Sequence, residues 1–158
     1  MDNQQESHSN EENKIRTLTL VQSIRSFILG ELRALIYDHE GSHFIKFVNI
    51  AIAIEYLGAC LDEFPFNEEG KSETRFNDAL KKLFNNKYKK FTKKDSDAYL
   101  FEEFRCCFVH QLRPGKSVVV THRKESKKEG TKHLIPIKDT KQHVLILEDF
   151  YDDLEKAA

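Results

Sequence analysis

The sequence predicts a mainly α fold: a four-helix bundle with a small antiparallel β appendage and a short C-terminal helix. Three observations predict it. Apolar residues recur every three or four positions through residues 13–113. Short β-branched runs appear only after Pro114-Gly115. The chain of 158 residues, 39% hydrophobic and 32% charged, has the length and composition of one domain with a single core.

Residues 1–12 carry four acids and no Lys or Arg, which predicts a solvated, disordered lead rather than a signal peptide. Leu20/Val21, Ile24, Phe27/Ile28, Leu32 and Leu35/Ile36 then set a first helix over 13–38. Gly41-Ser42 is a break, with Ser42 as the N-cap of a second helix over 43–64. That helix is apolar on nearly every side, the pattern of a central bundle element. Asn49 and Glu55 within it must therefore find partners or face a groove.

A third helix, about 72–91, is marked by Phe76, Leu80, Leu83/Phe84 and Tyr88. Residues 79–94 hold seven lysines and no acid, the composition of a solvated helix face. Asp95-Ser96-Asp97 signals the start of a fourth helix, 97 to about 112, which Pro114-Gly115 stops. Val118–Val120, His133–Ile137 and His143–Leu147 are strand candidates around a polar basic turn at Gly130. The first two are expected to pair antiparallel. EDFYDDLEK then closes the chain as a helical turn or two. Residues 114–158 are thus expected to pack as an appendage on the bundle of 13–113.

Composition excludes several function classes. Twenty-five basic residues against 26 acidic ones give a formal net charge of −1, unlike a wholly basic nucleic-acid coat. The chain lacks a run of ~18 uncharged apolar residues, so no membrane span is expected and the default location is the cytoplasm. Cys60, Cys106 and Cys107 are read as free thiols. The histidines at 8, 39, 43, 122, 133 and 143 show no paired zinc-type spacing, so neither a metal site nor a cofactor is expected. Glycine-rich phosphate loops and Gly-x-Ser-x-Gly elbows are missing.

The fourth helix is apolar on two sides. Leu100, Phe104, Cys107 and Phe108 share a core face, while Tyr99, Cys106 and Val109 lie opposite, flanked by Arg105 and His110. Such a helix is covered on both faces, either by a second copy in a homodimer or by the β appendage folding back.

Arg105-Cys106-Cys107-Phe108-Val109-His110 resembles the Arg-x4-His signature of HEPN domains. These are small helical bundles of ribonuclease toxins and related defence and RNA-processing proteins. The aromatic-acidic YLFEEF before it, QLRPG after it and the upstream apolar IAIAIEYLGACL occupy similar places. The resemblance implies a dimer that cleaves RNA without metal. Arg105 would stabilise phosphate charge and His110 would move a proton, as their chemistry allows. Many active members carry a small polar residue directly after the arginine, where this chain has Cys106. The alternative is a HEPN-like dimeric interaction module without catalysis. On an ideal helix, residues five apart point about 140° apart, so the pair converges only if the helix loosens or a partner chain completes it. Ordinary structural roles remain open too: Arg105 pairing with Glu102, and His110 capping the helix. Beyond the helix, residues 113–132 hold seven basic residues against two acids. Arg113, Lys116, Arg123 and Lys124 are the candidates there for RNA phosphates, or for a soluble turn guarding a sheet edge.

Overall fold

The structure, a computed structural model, describes residues 19–38, 41 and 43–158. The expected lead at 1–12, the first helix ahead of Thr19 and the Ser42 cap lie outside the described residues. Thr19 starts the first helix with a reciprocal cap: its hydroxyl accepts the Gln22 N–H, and the Gln22 side chain accepts the Thr19 N–H. That helix runs as α1 (Leu20–Ser23), a π-helical stretch Ile24–Leu29 and α2 (Gly30–Tyr37). Next come α3 (His43–Ala59) and α4 (Ser72–Lys82).

Two helices are shorter than their periodicity predicts. α3 stops at Ala59 rather than 64, and α4 stops at Lys82 rather than 91. After α4, Asn85 accepts the Lys87 N–H and opens a separate 3-10 helix, Asn86–Thr92. An Asn side chain competing for a local backbone donor favours a cap over helix continuation. The lysine-rich face is thus split, and Lys82, Lys87 and Lys94 pair with Asp78, Asp153 and Glu73.

The fourth helix begins later than Asp95-Ser96-Asp97 signals, as a π-helical stretch, Phe101–Cys106, and ends as α5 (Cys107–Gln111), while residues 95–98 form turns. Leu112 terminates it in the left-handed region at φ 53°, ahead of Pro114-Gly115. The chain then folds back: the Gly115 N–H donates to the Glu103 carbonyl and the Ser117 N–H to the Glu103 carboxylate.

The appendage departs most from expectation. β1 (Val118–Thr121) and β2 (His143–Ile146) pair in parallel, Val118 opposite His143, as a two-stranded sheet. Between them the expected basic turn is a helix, α6 (Arg123–Glu129), closed by Gly130 at φ 67°. A helix in the connection carries the chain back to start the second strand in the same direction, whereas the expected hairpin would have reversed it. Residues 133–137 form no strand of their own. Leu134 has φ 62°, Pro136 has no N–H, and the segment makes one antiparallel bridge, Pro136 to His143, against β2 rather than β1. α7 (Leu147–Ala157) completes the chain.

The core joins all of these parts. α3 buries Phe47, Ile50 and Ile54, and the Phe47 ring meets Phe104 and Phe108, from which ring contacts run on to Phe76, Phe150 and Tyr88. α7 closes over the first helix, where the Tyr151 hydroxyl donates to the Leu29 carbonyl and Tyr37 donates to Asp152. Tyr99, expected on an outer face, is buried against α4: its hydroxyl donates to Glu73 and accepts from Asn77. Among the described residues no helix is long and apolar enough to cross a membrane, and the three cysteines form no disulfide.

Gly58 marks the closest approach of α3 to α4. A Cβ there would lie 1.9 Å from the Arg75 carbonyl oxygen. Gly58→Ala should therefore destabilise the fold by ~1–3 kcal/mol or more through overpacking, seen as a lower urea midpoint with an unchanged slope.

A second prediction comes from His133. Its Nδ1 accepts the Ile146 N–H, which leaves Nε2–H facing the Tyr88 oxygen, and Tyr88 donates to Asp153. Burial, reinforced by the Lys87 cation, lowers the imidazole pKa to about 4. The unfolded chain takes up a proton near pH 6.5 that the folded chain refuses. Stability should then fall as pH drops from about 6.5 to about 4, by roughly 2–3 kcal/mol from this group. Denaturant unfolding at several pH values should show the slope, and His133→Gln should flatten it.

Candidate functional site

Arg105 and His110 meet. Arg105 Nη1 lies 3.3 Å from His110 Nε2, although the two residues are five positions apart. The π-helical stretch, in which the Cys107 N–H reaches back to the Glu102 carbonyl, covers only the Arg105 end of this span, and residues 107–110 are α-helical. The contact is made within one chain. Because a guanidinium only donates, a hydrogen bond between them makes His110 Nε2 the accepting nitrogen.

Arg105 is held from its other edge by Glu55 of α3, whose carboxylate accepts Nε–H at 2.7 Å. The two side chains are 15% and 21% exposed, so the pair is sheltered but reachable. Glu102, the one-turn-back alternative, is not the partner. The guanidinium also lies over the Phe101 ring, 5.7 Å from its centroid. Glu55 thus satisfies the requirement that a polar group on an apolar helix find a partner. Asn49 does so through the Ile45 carbonyl.

A shallow cavity of about 340 Å³ opens beside this pair, lined by Ile52, Glu55, Tyr56, Phe66, Arg75 and Arg105. Arg75 is not free to bind there. It is buried, forked onto Asp62, and donates to the Pro65 and Phe66 carbonyls. His110 is exposed, and Cys106 and Val109 are half-buried. Only these last two of the three proposed seam residues remain accessible.

The basic candidates divide. Arg113, Lys116 and Lys124 are exposed, with Arg113 donating to Gln111. Arg123 is already engaged: its guanidinium binds Asp149 at 2.6 Å and Asp152 at 2.7 Å, fastening α6 to α7. Those carboxylates raise its pKa and hold the fork that a phosphate would need. Arg123 therefore clamps α6 to α7.

Sequence reasoning did not single out Glu55 as the partner of Arg105. Its isolation on an apolar helix was the available signal. Compared with known protein families, with curated proteins and with solved structures, the chain gives no match.

Proposed function

We propose that this chain is a HEPN-like, RNA-directed protein acting as a metal-independent endoribonuclease, with Arg105 and His110 as its catalytic residues. The single observation that carries the reading is their contact at an accessible helix end. Exposed Arg113, Lys116 and Lys124 supply positive charge for the RNA backbone.

In a two-fold pair of chains, the site would hold two histidines. One His110 takes the proton from a ribose 2′-hydroxyl, whose oxygen attacks the adjacent phosphorus. The bond from phosphorus to the 5′ oxygen breaks, and the second His110 protonates that leaving oxygen. Arg105 donates to the non-bridging oxygens as charge develops on them. The products are a 2′,3′-cyclic phosphate and a free 5′-hydroxyl. A second reading, the non-catalytic interaction module, is favoured by the Glu55 contact, which competes with phosphate for Arg105. Cys106 after the arginine favours it too.

His110→Ala and Arg105→Ala should each suppress cleavage of mixed RNA, the histidine loss by ~100–10,000-fold, while the fold is retained by circular dichroism. A chelator should leave the parent activity intact. A parent protein that cuts no RNA, or a His110→Ala variant as active as the parent, removes the nuclease reading.

Assembly is tested by sedimentation. A dimer is expected at tens of micromolar, where an interface of ~8 kcal/mol stays largely paired. Val109→Glu should shift it toward monomer by placing like charges across the axis.

A further inference from the structure

His43 and His122 lie 79 positions apart in the chain, yet their rings meet, with His43 Nδ1 facing His122 Nε2. His43 begins α3 and His122 precedes the first residue of α6. Their ring centroids are 4.0 Å apart. The other nitrogen of His122, Nδ1, faces the Glu148 carboxylate at 3.3 Å. Glu148 is itself fixed, because its second oxygen accepts the Arg123 N–H at 2.8 Å.

We propose that this pair is a binding site for a late first-row divalent cation such as Zn²⁺, ligated by His43 Nδ1 and His122 Nε2. The proposal is independent of the reading of Arg105 and His110. Two imidazole nitrogens that face each other are of the donor type such cations select. The carboxylate behind His122 is the usual second support of a ligating histidine: it holds the N–H on Nδ1 and leaves Nε2 with its lone pair forward. Zn–N bonds of ~2.0–2.1 Å in tetrahedral geometry place two ligand nitrogens about 3.4 Å apart. Reaching that spacing needs the rings to separate slightly, which the exposed His43 side chain on the first turn of α3 permits.

The surroundings suit a cation with open coordination positions. The pair lines a cavity of about 890 Å³ together with Glu125, Glu148, Lys46 and Lys124. Two carboxylates there balance two ammonium groups. Exposed Glu125 on α6 can swing in as a further oxygen ligand, with water in the remaining positions. Among the described residues no group of three or more His, Cys, Asp or Glu is placed to hold a metal ion, so the proposed site rests on the two histidines.

The test is calorimetric titration of Zn²⁺ into full-length, chelator-stripped protein, paired with imidazole ¹⁵N spectra of the same unsubstituted chain. One saturable equivalent per chain is expected, with the His43 Nδ1 and His122 Nε2 resonances moving and those of buried His133 unmoved. His43→Ala and His122→Ala should each abolish this binding, and Glu148→Gln should weaken it by ~10–100-fold. Zn²⁺ should raise the melting temperature of the parent but not of His43→Ala. Absence of saturable binding to the folded parent overturns the proposal, leaving a proton-sharing contact between two rings. So does binding that moves other histidines while 43 and 122 stay still.

Discussion

Phe104 is the point on which the packing turns. Fully buried, its ring contacts Phe47 of α3 at 6.1 Å, Phe76 of α4 at 6.4 Å, Phe108 at 5.2 Å and Phe150 of α7 at 5.1 Å. One side chain thus touches three other helices. It lies in the π-helical stretch that ends one residue beyond Arg105. With Phe104 fixed in the core, the adjoining Arg105 reaches Glu55 of α3 and meets His110. The aromatic cluster thus anchors the element from which the candidate site projects.

Outside the core, charge does the joining. Arg123 binds two acids of α7, and Glu148 at the start of α7 accepts the first N–H of α6. Arg75 serves the 60–71 loop similarly, donating to Asp62 and to two carbonyls. A buried guanidinium needs several acceptors at once, and these positions supply them. The basic residues that the sequence presents as one class therefore have separate tasks. Some are structural clamps, and some remain in solvent.

How much was legible depended on whether a signal was local. The apolar periodicity of 43–64 and 72–91 marked α3 and α4, though it overran both at their C-terminal ends, and Val118-Val119-Val120 marked β1, because each element's pattern lies within itself. α6 was hidden because RKESKKE has almost no apolar period. Its true signals were Glu125 in the first turn, lysines in the last and Gly130 after it, a helix written in charge and capping. The parallel pairing of β1 with β2 followed from that missed helix. The Arg105–His110 pair was legible as a spacing, but their contact across five positions is not something that ideal helix geometry announces. The meeting of His43 with His122 left no trace in spacing at all.

The way α7 closes the molecule bears on how the chain is made. Its partners are early residues: Tyr151 reaches Leu29, and Asp152 reaches Tyr37, across 122 and 115 positions. While a ribosome is still synthesising the middle of the protein, the apolar faces of α2 and α3 have no lid. Ordering such distant contacts requires closing a long loop, which slows folding and prolongs exposure of sticky surface. A nascent chain of this design keeps that surface uncovered until residues 147–154 emerge. Truncation within α7 would leave it in that condition permanently.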